Sequence, residues 1–196
     1  MSLPLQPTGQ PWPPGLRRAA LVLLLVVAVL LLGLVAPARV RPPHLILGGP
    51  DHELDYARAA RRLIDGAQRR LWMSMYVLRP DDGIIGGLLD GLAAAAARGV
   101  DVRVVLDRGA GWDGQPDVKH EAPAAWLAAH GVRVLLDEEA VTSHAKVLVA
   151  DSRLVLAGSH NWTRSALVKN RELSWLIDDA EAADEVERWL GSIPGW

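Results

Sequence analysis

Between Ser143 and Thr163 the chain reads SHAKVLVADSRLVLAGSHNWT. His144 stands two residues before Lys146, one of only three lysines in the chain, and Asp151, Gly158, Ser159 and Asn161 complete the pattern H-x-K, four residues, D, six residues, G-S-x-N. A histidine, with an ordinary pKa of about 6.5, offers a neutral imidazole lone pair near physiological pH and can act as a nucleophile. A fixed ammonium and amide donors stabilise negative charge as it develops in a transition state, most strongly when they are held in place beforehand. The spacing predicts that these groups meet. Alternation along a strand puts His144 and Lys146 on one face, and Gly158, Ser159 and Asn161 fall where a second strand ends and a ligand can approach the backbone.

Positioning such groups requires a sheet, and the chain from residue 44 to 196 alternates strand and helix signals as an α/β domain does. HLILGG (44–49) reads as a strand, followed by a helix capped by Asp51 with Leu54, Ala57, Ala60, Leu63, Ile64 and Ala67 on one face. Arg70–Leu78 is the second strand, Ile84 onward a helix stopped by Gly99, and VDVRVVLD the third strand. A polar, glycine-rich loop spans Arg108–Glu121. A short helix around Ala124–Ala129 follows, then strands near 132–136, 145–150, 153–157 and 173–177 and a closing helix over 180–190. The fold class expected is α/β, a mixed sheet flanked by helices.

Ahead of this domain, residues 1–18 form a proline-rich leader expected to be disordered. Residues 19–36 are eighteen uncharged residues that as a helix would reach about 27 Å, close to bilayer thickness. They read as a single-pass anchor in preference to a cleaved signal, although Arg17 and Arg18 before them and the Ala36-x-Ala38 pattern behind them suit export and secretion. Residues 37–43 are a linker, and the catalytic domain is placed outside the cytoplasm without the charge pattern deciding the orientation.

The motif resembles the HKD motif of the phospholipase D superfamily, with all six fixed positions matched. At residue frequencies of about one in twenty, such a match arises by chance roughly once in 10⁸ starting points. The order of elements from His44 to Trp189, the GVDVRVVLD strand and the NWTRSALVKNRE segment are similar to the single-motif branch. That branch includes bacterial endonucleases and a membrane-anchored mitochondrial cardiolipin hydrolase. The resemblance implies a phospholipase D-like sheet and a phosphodiesterase that needs neither metal nor cofactor and works through a phosphohistidine. It implies His144 as nucleophile and Lys146, Ser159 and Asn161 as phosphate-binding groups, with Glu172 at the downstream acidic position, holding the imidazole's second nitrogen. Asp151 belongs to the catalytic set by the same resemblance; as a turn residue it could tie the turn together or tune the local charge, and the structural role is preferred. The acidic run Asp137, Glu138 and Glu139 departs from the pattern.

Composition bears on the substrate. No cysteine is present, which excludes thiolate chemistry, and beyond residue 43 there are 17 basic against 23 acidic residues. That balance is a poor match for nucleic acid, so a phospholipid substrate, with the anchor holding the site at the membrane, stands ahead of DNA or RNA. His52, His120, His130 and His160 read as surface or loop histidines without metal spacing. Trp72, Trp126, Trp175 and Trp189 read as core, and Trp112 and Trp162 as the tryptophans that touch lipid or base. Because attack and leaving-group protonation call for two histidines while the chain has one motif, a homodimer with a shared active site is expected.

Overall fold

The computed structural model describes residues 42–81, 83–108, 118–138 and 140–196, with Gly15, Arg18, 20–25 and Val27. Most of the leader and of the 19–36 segment lies outside the described residues, as does the centre of the 108–121 loop with Trp112. No helix among the described residues is long and apolar enough to cross a membrane.

From His44 onward the elements are β1 (His44–Leu47), α1 (Asp55–Gly66), β2 (Arg70–Met75), α2 (Ile84–Ala97), β3 (Asp101–Leu106), α3 (Glu121–Ala129), β4 (Arg133–Leu136), β5 (Lys146–Ala150), β6 (Leu154–Gly158), α4 (Arg164–Val168), β7 (Leu173–Asp178) and α5 (Ala180–Gly191). The seven strands form one mixed sheet in the order β1-β7-β6-β5-β2-β3-β4. The pairs β2–β3 and β3–β4 are parallel, joined through α2 and α3, and all other pairs are antiparallel. Crossover helices are what parallel neighbours require; of the antiparallel pairs, β5 and β6 are joined by a tight turn.

Strand alternation sorts the core into two sides. Met73, Met75, Val104, Leu106, Leu148 and Leu156 pack with Leu63 and Ile64 of α1, Leu88 and Leu92 of α2 and Leu127 of α3. On the other face Val147, Val149 and Val155 pack against Ala183 of α5, with Val186 alongside. Each such Leu, Ile or Val, fully buried, contributes about 1.5–3 kcal/mol of transfer free energy.

Three expectations are corrected and one element is added. The first helix is not capped by Asp51, which lies in a separate 3-10 turn; Leu54 takes the cap position with φ 66° and no side-chain cap. Arg164–Val168 is a short helix that sequence periodicity did not reveal, started by Thr163 Oγ1 accepting from Ala166 N–H at 3.2 Å. Trp162 is wholly buried, with its indole N–H 3.4 Å from Tyr56 Oη, whereas Trp126, Trp175 and Trp189 are exposed. His120 and His160 are buried, not surface groups.

Candidate active site

The motif gathers at one edge of the sheet. β5 runs antiparallel to β2, so its first residue, Lys146, pairs with the last residue of β2, Met75. The carboxyl ends of β2, β3, β4 and β6 therefore surround the amino end of β5. In open sheets this is the edge where connections splay and ligands bind.

His144 lies just before β5 instead of within it. Lys146 still reaches it: the ammonium is 3.0 Å from His144 Nε2, 3.2 Å from Nδ1 and donates to the His144 carbonyl at 2.7 Å. An ammonium only donates, so a hydrogen bond from it to either ring nitrogen uses that nitrogen's lone pair. The Tyr76 ring packs on His144 at 4.4 Å, and the ammonium of Lys146 lies 4.6 Å from the same ring. Burial pushes the Lys146 pKa down from 10.5, partly offset by the negative charge of Glu172.

The preceding residue is clamped by two buried carboxylates, neither of which the sequence analysis placed in the site. Ser143 N–H donates to Asp107 Oδ1 at 2.9 Å and its hydroxyl donates to Asp137 Oδ2. Asp107 and Asp137 each follow a strand, and the parallel register sets Leu106 beside Leu136, so the two carboxylates stand side by side. The repeated ending of VVLD and VLLD was the available signal. Asp137, which read as a departure from the pattern, thus holds the approach to His144.

On the other side of the site, Gly158 ends β6 because nothing larger fits: a Cβ there would lie 2.2 Å from Ser174 Oγ and 2.3 Å from the Leu173 carbonyl. The requirement comes from the neighbouring strand β7, not from a ligand. Ser159 donates to Glu172 Oε2 and accepts from Leu173 N–H at 3.0 Å. Asn161 Oδ1 accepts from Val77 N–H at 3.1 Å, which leaves its amide N–H₂ as the group with donors to offer. Glu172 is held by Ser159 and by Asn170 Nδ2 at 3.1 Å; it makes no hydrogen bond to His144, although its charge is felt at Lys146. His160, between Ser159 and Asn161, turns inward, stacks on Tyr56 at 4.5 Å and bonds Ser174 Oγ at 2.8 Å. Burial lowers its pKa from 6.5, against the raising effect of Glu172.

Asp151 is not brought to this edge. It lies beyond the far end of β5 with φ 54°, where its carboxylate accepts from the N–H groups of Arg69 (2.8 Å), Gln68 (3.0 Å) and Arg70 (3.1 Å). Burial alone would raise its pKa, but these bonds outweigh it and hold the carboxyl below its ordinary 3.8. Among the described residues no group of three or more His, Cys, Asp or Glu side chains is placed to hold a metal ion.

Residues 60–193 match the family described as cardiolipin synthase, PLD-like domain. The chain is 34% identical over 128 residues to a phospholipase D of Rickettsia bellii (strain RML369-C), covering 65% of this chain and 58% of that protein. It is 29% identical over 126 residues to a mitochondrial cardiolipin hydrolase of Chlamydomonas reinhardtii, covering 64% and 48%. The chain thus matches about half the length of these two relatives. Among solved structures it is similar to Nuc, a phospholipase D family member from Salmonella typhimurium, with a TM-score of 0.61 at 25% identity over 77% of this chain and 93% of that one.

Proposed function

Because this chain belongs to the phospholipase D superfamily, we propose that it is a phosphodiesterase that hydrolyses the headgroup phosphodiester of a phospholipid through a phosphohistidine on His144. The observation that carries the reading is the buried Lys146 ammonium held at the His144 ring, 3.0 Å from Nε2 and 3.2 Å from Nδ1. In the free protein this ammonium occupies the lone pair. A bound phosphodiester oxygen competes for the ammonium and releases the lone pair to attack phosphorus. The N–P bond forms as the P–O bond to the leaving alcohol breaks, and the departing oxygen takes a proton from a second histidine. Water, deprotonated by that histidine, then attacks phosphorus, the N–P bond breaks and the imidazole is restored. Lys146 and the Asn161 amide stabilise the charge on the non-bridging oxygens, joined by the Ser159 hydroxyl once it turns from Glu172 to the phosphate. Glu172, already within electrostatic reach of Lys146, takes up the second imidazole nitrogen in the phosphorylated state.

The second histidine comes from another copy of the chain. His120 bonds the Asp107 carbonyl through Nδ1 at 2.6 Å and accepts from Leu78 N–H at Nε2 at 3.0 Å, and His160 is buried against Tyr56. An exposed apolar strip, Leu45 beside Trp175 and Leu47 beside Leu173, adjoins the motif turn, where Ser159 N–H donates to the Leu173 carbonyl. It is a surface suited to a self-complementary contact. The 19–36 segment, as an anchor, keeps the site at a lipid surface.

The test uses the full chain in detergent micelles, assayed side by side on mixed phospholipids and on single-stranded DNA in excess EDTA. Phospholipid turnover that survives chelation is expected, with an acid-labile, alkali-stable phosphate on the peptide containing His144 and no turnover in His144→Asn. Phosphoserine, or full activity in that variant, overturns the mechanism; cleavage of DNA alone overturns the substrate, and a nuclease with the same chemistry then stands. When wild-type and His144→Asn chains are refolded together, a shared site makes activity fall as the square of the wild-type fraction, and a linear fall overturns it.

A further inference from the structure

A cleft of about 480 Å³ lies between α2 and the first turns of α3, with Lys119 from the segment before that helix. Its walls are Pro80, Gly86, Leu89, Ala122, Pro123 and Trp126, and its polar groups are Asp90 and Lys119. The volume falls in the range of small-molecule sites, which are mostly apolar with a few placed polar groups. Nothing in the mechanism above uses it.

The cleft and the active site share a wall. Tyr76–Pro80 leaves β2 with Tyr76 against His144, the Val77 amide on Asn161 and the Leu78 amide on His120, and it ends with Pro80 lining the cleft. Five residues of extended chain span at most about 18 Å, so the two concavities are near neighbours. Lys119 joins them from the opposite side. It lines the cleft, and its ammonium lies 5.2 Å from the ring of Tyr76, whose other contacts are His144 and Lys146.

A phospholipid whose phosphate sits on Lys146 carries hydrocarbon that must leave the site within a few bond lengths, and leaving it in water costs about 0.8 kcal/mol per methylene. We propose that this cleft receives an acyl chain of the phospholipid substrate, with Lys119 at the junction facing the glycerol-phosphate region. The inference rests on the lipid reading of the active site. The negative balance of the domain argues against a nucleic-acid strand as the occupant.

The experiment compares dihexanoyl with dioleoyl forms of phosphatidylglycerol, phosphatidylethanolamine and a tetra-acyl cardiolipin pair, in the same mixed micelles, using the full chain. Ala122 is exposed on α3, so Ala122→Trp fills the cleft from its rim without entering the core. Displacing two methylenes is enough to lower the long-to-short ratio of kcat/KM about tenfold, and that fall is the expected result. A folding defect lowers both substrates together, so the ratio reads the cleft itself. In parallel, a phospholipid carrying a diazirine on its acyl chain is photolysed with the wild-type chain, and adducts are expected on the peptides around Leu89 and Trp126. An unchanged ratio with adducts elsewhere overturns the acyl site while leaving phospholipid hydrolysis in place. Absence of phospholipid turnover at either chain length overturns both, and an Ala122→Trp defect confined to single-stranded DNA assigns the cleft to a nucleobase instead.

Discussion

The two ends of β5 carry parts of one sequence motif and are built in opposite ways. At the amino end, Lys146 is buried with its ammonium on an imidazole and a carbonyl, and Asn161 has one side of its amide pinned and the other with donors to offer. At the carboxyl end, Asp151 accepts from three consecutive backbone N–H groups and stabilises a turn in which both Asp151 and Ser152 have φ near 54°. The first arrangement holds charge in a costly place with capacity left for a ligand. The second satisfies backbone groups that would otherwise lose their partners at the start of β2. A motif read as a single unit therefore has two differently built ends, one holding donors for a ligand and the other tying backbone together.

The largest test of that contrast is Lys146→Met. Removing the ammonium should lower kcat by about 10²–10³-fold, the cost of losing a preorganised charge donor. Stability should hold or rise, with a thermal midpoint up by a few degrees, because a buried cation held at a depressed pKa is replaced by an apolar side chain of similar length. A scan of melting temperature alongside steady-state kinetics reads both effects; loss of stability together with activity would mean that the amino end is scaffold too.

Asp151→Asn should behave conversely. With three N–H partners weakened at a partly exposed site, unfolding free energy should fall by about 2 kcal/mol in urea titration, with kcat changed less than about threefold. The wild-type contribution has a defined pH window. Since the folded pKa lies below 3.8, the unfolded chain binds more protons in acid; the stabilisation is complete above pH 3.8 and lost as pH falls through the folded value. A kcat defect without a stability defect would move Asp151 into the catalytic group.

The smallest effect concerns His160, behind the motif turn. Its pKa is lowered from 6.5, so its neutral form contributes stability above that pH, and the contribution declines as pH falls toward the folded value. His160→Gln should flatten the slope of unfolding free energy below pH 6.5 relative to wild type. An identical slope in the two chains would show that another group titrates there.

Much of the architecture was legible because its signals are local. Period-two apolar runs mark β2, β3 and β5, and the alanine- and leucine-rich stretch ending at Gly99 marks α2, since burial on one or two faces imposes a repeat that the residues themselves carry. α4 was missed because five residues are too few for a helical period to show. The tryptophans were misplaced for a related reason. Size and hydrophobicity favour burial on average, but strand register put Trp175 on the outward face beside Leu45, while Trp162, a turn residue by sequence, is carried under α1 onto Tyr56.

The motif's membership was written in the sequence alone, because six residue types at fixed offsets carry that information without coordinates, and so was the nearness of His144 to Lys146 two positions on, although His144 lies before the strand and not within it. Which of those six residues stand together was decided by the tertiary structure. Antiparallel pairing of β5 with β2 sets Lys146 beside Met75 and sends Asp151 to the opposite edge. Parallel pairing of β3 with β4 brings Asp107 and Asp137, thirty positions apart, to either side of Ser143. A strand displaces its two ends by about 3.3 Å per residue, and only register between distant strands determines what each end meets.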